Sequence, residues 1–127
     1  MGQAERPLRT ALVVEDDRDL RDLAATLIEE SDLRVVEAAS ADEALQYLSE
    51  KADEVAFAFV DVRLPSQMDG VDLARSVGLK WPWIKVVVTS GDAGDRLSDL
   101  PRNTKYLQKP WRALDVLVEV ERAVARA

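Results

Sequence analysis

The chain contains no cysteine and no histidine. Without cysteine there is no disulfide framework, no thiol nucleophile and no thiolate metal site. Without histidine, Ser-His and Cys-His catalysis and imidazole ligation are excluded too. Any metal bound by side chains must therefore be held by oxygen, which favours a hard cation such as Mg²⁺. No apolar run approaches the length of a membrane span. The opening residues 1–6 lack a signal-peptide apolar region, and Arg6 stands where N-myristoylation would want Ser or Thr. No membrane attachment is expected, and the expected compartment is the cytoplasm. Basic residues are the minority charge, 17 Lys and Arg against 24 Asp and Glu, for a net charge of −7. With no basic stripe to offset that excess, nonspecific nucleic-acid binding is not expected.

What is present fits one soluble globular domain: 127 residues, 47% hydrophobic and 32% charged, enough to bury a normal core. Residues 1–7 are polar and expected to fray, leaving residues 8–127 as the domain. Residues 10–14 read as a buried strand. From Asp17 to Glu30, Leu20, Leu23, Ala24, Leu27 and Ile28 recur at helical spacing. Residues 34–38 form a second strand. Ser40 and Glu43 have capping-box spacing before a helix that carries Ala44, Leu45 and Leu48 inward. Residues 55–60 are apolar throughout, as in a strand covered on both faces. Residues 64–70 form a loop, punctuated by Pro65 and by Asp69-Gly70. A helix over 71–77 then stops near Gly78, and Trp81-Pro82 breaks the chain. Residues 84–89 are a fourth apolar run. Residues 91–103 hold two glycines and a proline, so a fourth helix there is expected to be short or missing. Residues 105–107 are a fifth strand, and 111–127 a last helix with Leu114, Leu117, Val118, Glu121 and Val124 on one side. The order is strand then helix, repeated five times. That alternation implies an α/β fold with a doubly wound, five-stranded parallel sheet, helices on both faces and right-handed crossovers.

Three of these strands end in charge. Leu12-Val13-Val14 runs into Glu15-Asp16-Asp17, Phe59-Val60 into Asp61, and Tyr106-Leu107 through Gln108 into Lys109-Pro110. The carboxyl edge of an open α/β sheet is where ligands bind. Each charge has a plainer reading. Asp17 suits a helix cap or first turn, Asp61 alone could open a loop, and a lone lysine is usually a surface charge. Together, three carboxylates repel one another, so a cation must compensate them or their proton affinities rise. Lys109 is placed to pair with Asp61. The bond before Pro110 is a candidate cis bond. Thr89-Ser90-Gly91 ends the fourth strand and supplies a hydroxyl near Asp61.

In this order, at the ends of alternating strands, these residues resemble a two-component response-regulator receiver domain over 9–126. The matching pieces are Val13-Val14-Glu15-Asp16-Asp17, Asp61 with Leu64-Pro65 and Asp69-Gly70, Thr89-Ser90-Gly91, and Lys109-Pro110. The resemblance implies the flavodoxin-like strand order 2-1-3-4-5. It implies that Asp61 accepts a phosphoryl group from a histidine kinase or histidine phosphotransfer protein. It gives Mg²⁺ to Asp16 directly, to Glu15 through water, to Asp61, and to the backbone carbonyl of Arg63. Lys109 matches the lysine that pairs with the phosphoryl group. Ser90 matches the switch hydroxyl, with Thr89 as the alternative register, and Tyr106 the aromatic whose rotamer follows activation. A downstream protein target or a fused output domain would read the signal.

Some features depart from the family pattern. The interval from Asp61 to Asp69-Gly70 is one residue longer than the commonest spacing. Leu100-Pro101-Arg102-Asn103 replaces the usual Gly-Ala turn before the fifth strand. Signalling through the face of helix four, strand five and helix five is therefore in question. Alternative readings are a degenerate receiver used as a scaffold, a small Mg²⁺-dependent phosphatase with an Asp nucleophile, and an FMN binder. The phosphatase commonly needs an acid where Arg63 stands. In an FMN site, Glu15-Asp16-Asp17 would repel the phosphate.

Overall fold

A computed structural model describes residues 9–92 and 96–126 of the chain. The stretch expected to fray (1–7), Leu8, residues 93–95 and Ala127 lie outside the described residues. The strands are β1 (Thr10–Val14), β2 (Arg34–Ala38), β3 (Val55–Asp61), β4 (Lys85–Ser90) and β5 (Lys105–Gln108). The helices are α1 (Arg18–Glu29), α2 (Ala41–Lys51), α3 (Gly70–Lys80) and α4 (Ala113–Arg126). The strands are all parallel, in the order β2-β1-β3-β4-β5. Among the described residues no helix is long and apolar enough to cross a membrane.

Alternation along the strands builds two cores. Leu12, Val14, Ala58, Val60, Val86 and Val88 face α2 and α3. Ala11, Val13, Phe57, Phe59 and Val87 face α1 and α4. Both faces are covered, so β1 and β3 are buried along their whole length and read as continuous apolar runs. The edge strands β2 and β5 are partly exposed and carry the polar residues Arg34, Glu37, Lys105 and Gln108. Full burial of a side chain such as Leu48 or Leu73 contributes roughly 1.5–3 kcal/mol.

Local chemistry starts α1, α2 and α3. The Asp17 carboxylate accepts from the Leu20 amide at 3.1 Å, making Asp17 the N-cap of α1. Ser40 Oγ accepts from the Glu43 amide at 3.1 Å. The reciprocal half of the expected capping box is displaced by one residue, because the Glu43 carboxylate accepts from the Ala39 amide at 2.6 Å. A complete box stands instead at α3, where Asp69 and Asp72 each accept from the other's backbone amide.

The structure corrects the sequence reading in three places. First, α3 continues three residues beyond the expected stop at Val77. Gly78 is not a terminator. A Cβ built on it would meet Pro101 Cγ at an ordinary 3.5 Å, so the helix runs through this position and has room there for a larger residue. The helix ends at Trp81 because the following Pro82 disfavours the helical region for the residue before it.

Second, the buried stripe of α4 is Val116, Val120 and Ala123, whereas Leu114 is 69% and Val124 40% exposed. The helix carries two apolar stripes, and periodicity alone does not choose between them. The inward one also carries Glu119, buried and tolerated because Lys85 lies 3.2 Å away and Arg122 3.1 Å away. The Lys85 contact is an ion pair rather than a hydrogen bond, since Glu119 Oε1 has no hydrogen-bond partner among the described residues.

Third, the last helix begins at Ala113, not Trp111. Trp111 instead packs edge-on against Phe59, with ring centroids 5.4 Å apart. Between β4 and β5 the described residues contain a single 3₁₀ turn, Leu97–Asp99, in keeping with the short or missing helix expected there.

Candidate functional site

The strand order makes β1 and β3 neighbours, with Val14 opposite Val60. The next residues, Glu15 and Asp61, therefore emerge side by side at the carboxyl edge. Glu15, Asp16 and Asp61 each place a carboxylate oxygen within 4.8 Å of the others. Glu15 and Asp61 are 7% and 5% exposed, and Asp16 opens to solvent. Lys109, at the end of β5, reaches past β4 into this cluster. Its Nζ lies 3.2 Å from Asp61 Oδ2 and 3.3 Å from Glu15 Oε1. Pairing with Asp61 is as expected from the sequence, and the second pairing, with Glu15, is an addition. The peptide bond between Lys109 and Pro110 is cis.

These groups perturb one another. Burial, and then the nearby Asp61 carboxylate, push the Glu15 carboxyl up to about 7, against the lowering effects of the Asp17 amide and Lys109. Burial pulls the Lys109 ammonium down, but Asp61 and Glu15 outweigh it and hold it above its ordinary value. A single ammonium does not fully compensate the acids. The donor set is all anionic oxygen, half-open at Asp16, and fits a small divalent cation that completes its shell with water or phosphate oxygens.

The remaining expected site residues surround the cluster. The Arg63 amide donates to Asp61 Oδ1 at 3.3 Å, and its guanidinium pairs with Asp92 at 3.2 Å. Ser90 is buried, and its hydroxyl donates to the Asp92 carbonyl and accepts from the Asp92 amide, both at 3.0 Å. Thr89 lies opposite Asp61 in the sheet register. Its buried hydroxyl has no hydrogen-bond partner among the described residues. The Tyr106 hydroxyl donates to the Ser90 carbonyl at 3.2 Å, and the Lys109 amide donates to that same carbonyl at 2.9 Å. The last turn of β4 is thus tied to β5 through one oxygen.

Three residues of this region have roles that the sequence did not reveal. Gly70 seats the start of α3 against the end of β3. Its amide donates to the Val62 carbonyl at 2.8 Å, and a Cβ there would lie 2.2 Å from the Asp61 carbonyl oxygen. Asp69-Gly70 reads locally as a turn, and nothing nearby reveals the close approach. Arg96 pairs with Asp69, Asp72 and Asp99 at 3.1–3.2 Å, partners too distant in sequence to infer, apart from Asp99. Arg21 donates to the Glu15 carbonyl at 3.0 Å. A backbone acceptor leaves no mark in a sequence.

The family profile described as "Response regulator receiver domain" matches residues 11–121. The chain belongs to this family of signalling domains. The receiver is similar to the response regulator receiver protein CpdR of Brucella abortus (strain 2308), with 29% identity over 123 residues, 94% of this chain and 100% of that protein. It is 36% identical over 105 residues to part of the sensor kinase CckA of the same organism, covering 80% of the receiver and 11% of the kinase. Among solved structures, the receiver domain of NtrX from Brucella abortus matches with a TM-score of 0.80 at 28% identity, over 92% of this chain and 99% of that one. A response regulator receiver protein from Sinorhizobium medicae WSM419 shares the fold, with a TM-score of 0.84 at 21% identity, over 92% and 94% of the two chains.

Proposed function

We propose that this receiver accepts a phosphoryl group on Asp61 from a histidine kinase or histidine phosphotransfer protein in a Mg²⁺-dependent reaction, and that the resulting aspartyl phosphate switches protein–protein contacts. The observation that carries this reading is Lys109 Nζ held between the Glu15 and Asp61 carboxylates at the strand ends. An Asp61 oxygen attacks phosphorus and the P–N bond of the phosphohistidine breaks. Its electron pair stays on the imidazole nitrogen, which takes up a proton. A carboxylate is a weak nucleophile, so rate comes from positioning and from neutralising the phosphoryl oxygens.

When bound, Mg²⁺ supplies charge neutralisation to the phosphoryl oxygens and to the crowded acids. Asp16, Asp61 and the Arg63 carbonyl would hold it directly, and Glu15 through water. Lys109 would exchange its carboxylate partners for a phosphoryl oxygen. Ser90 is our choice for the switch hydroxyl, because its bonds to the Asp92 backbone give it something to release. The unpartnered hydroxyl of Thr89 keeps the alternative register open. Tyr106, bonded to the Ser90 carbonyl, would follow that movement. The likeness to part of a sensor kinase supports a place in kinase signalling. The reader of the signal would be a separate protein target or a fused output domain, in the cytoplasm.

Incubation with acetyl phosphate and Mg²⁺, followed by intact mass measurement, tests the assignment. One phosphoryl adduct is expected on the wild type and none on Asp61→Asn. Equal modification of the variant would refute it.

A further inference from the structure

Arg21 belongs to α1, yet its side chain is only 19% exposed and ends against the acid cluster. Its Nη1 donates to the Glu15 carbonyl at 3.0 Å. Its Nε donates to Glu37 Oε1, on β2, at 3.2 Å. The Glu15 amide donates to the Ala38 carbonyl of β2 at 3.0 Å, and Glu15 Oε2 accepts from the Asp17 amide at 3.1 Å. Glu15 is therefore held at its amide by β2 and at its carbonyl by α1. The carbonyl that Arg21 holds belongs to the planar peptide unit joining Glu15 to Asp16. Fixing that plane sets the direction in which the chain carries Asp16. The Asp16 carboxylate itself has no hydrogen bond or ion pair among the described residues, so its backbone must do the aiming.

We infer that Arg21 is a positioning residue for the divalent-cation site, acting through the Glu15–Asp16 peptide and itself oriented by Glu37. The inference rests on reading Glu15, Asp16 and Asp61 as the acids that hold the cation. Groups that orient ligands from behind carry a large share of metal affinity, and their loss typically costs 10–100-fold. The sign of the effect separates positioning from charge. Removing a guanidinium leaves the cluster more anionic, which through space alone would tighten cation binding. Weaker binding therefore reports lost geometry.

The test is Mn²⁺ titration of the EDTA-stripped protein, with the free aquo ion counted by electron paramagnetic resonance and the bound ion displaced by Mg²⁺. Melting in EDTA is recorded alongside. Wild type is expected to bind one ion at this site, and Arg21→Gln to bind both metals about tenfold more weakly. Glu37→Gln, which frees the far end of the guanidinium, should show a smaller loss in the same direction. Unchanged or tighter binding by a folded Arg21→Gln protein, even with a lower melting temperature, would show an ordinary structural tie and overturn the inference. Should Arg21→Gln not fold, Glu37→Gln decides: wild-type affinity there overturns the inference, and weaker binding supports it. A wild-type protein that binds no Mn²⁺ would instead refute the acid-cluster reading, and the inference with it.

Discussion

At Glu15, burial and the Asp61 carboxylate oppose ionisation, while the Asp17 amide and Lys109 favour it. The folded state holds the proton up to about pH 7, against an ordinary value of 4.5. Between those two values the folded protein binds a proton that the unfolded chain has released, so stability falls as pH rises. The contribution is fully present below pH 4.5 and is lost by about pH 7. In EDTA, wild type should therefore lose stability between about pH 4.5 and 7 relative to Glu15→Gln, by about 1–3 kcal/mol. Paired urea titrations at several pH values check this, and parallel curves for the two proteins would mean that Glu15 titrates normally. The sequence shows that acids cluster here, because apolar runs stop in charge. It does not show which acid is buried. Glu15 and Asp16 are adjacent and chemically alike, yet one is nearly enclosed and the other open.

At the scale of elements, α3 shows how one residue type does two jobs. Gly70 lets the helix start press on the backbone of β3, where a Cβ would lie 2.2 Å from the Asp61 carbonyl oxygen and 2.7 Å from Val62 Cα. These are backbone atoms and cannot rotate aside. Gly70→Ala should destabilise by about 1–3 kcal/mol, as overpacking does, and should slow phosphorylation by displacing Asp61. Gly78 lies inside the same helix, with the nearest contact to an added Cβ at an ordinary 3.5 Å. Gly78→Ala should stabilise by about 0.5–1 kcal/mol through helix propensity and reduced freedom of the unfolded chain. Thermal melting of the two variants checks both signs, and a stable Gly70→Ala protein would mean that α3 can shift away from β3. The boundaries of β1 and β2 and the capped starts of α1 and α2 were legible because local side chains write them. The end of α3 was obscured by Gly78, a glycine inside the helix that reads locally as a stop. The inward face of α4 was obscured by Glu119, which sits on the buried stripe only because Lys85, far away in sequence, meets it.

Across the whole molecule, the segment between β4 and β5 is tied to the site at Asp92 and to the start of α3 at Arg96. Ser90 is bonded through its hydroxyl to the Asp92 backbone, and Asp92 pairs with Arg63. Beyond it, Arg96 ties the segment to Asp69 and Asp72 at the start of α3. Hydrogen bonds from the Asp69 backbone and from Arg96 hold the Asp72 carboxyl below its usual range, which records that tie electrostatically. Each of these surface pairs is weak alone, but among its described residues the segment has no regular element other than one 3₁₀ turn. A phosphoryl group that draws the Ser90 hydroxyl toward Asp61 must release the Asp92 turn, and the disturbance then has a path to the start of α3 as well as to Tyr106. Amide shifts recorded with and without beryllofluoride and Mg²⁺ should therefore change at Asp92, Arg96, Asp69, Asp72 and Tyr106. In Ser90→Ala those changes should shrink, with stability altered by no more than about 1 kcal/mol. In Thr89→Val they should persist, and removing a buried hydroxyl without a partner should leave the fold as stable or slightly more so. The opposite pattern, with the response lost in Thr89→Val and kept in Ser90→Ala, would move the switch to Thr89. A response confined to Tyr106 and absent from Asp69 and Asp72 would show that Arg96 does not carry the signal into α3.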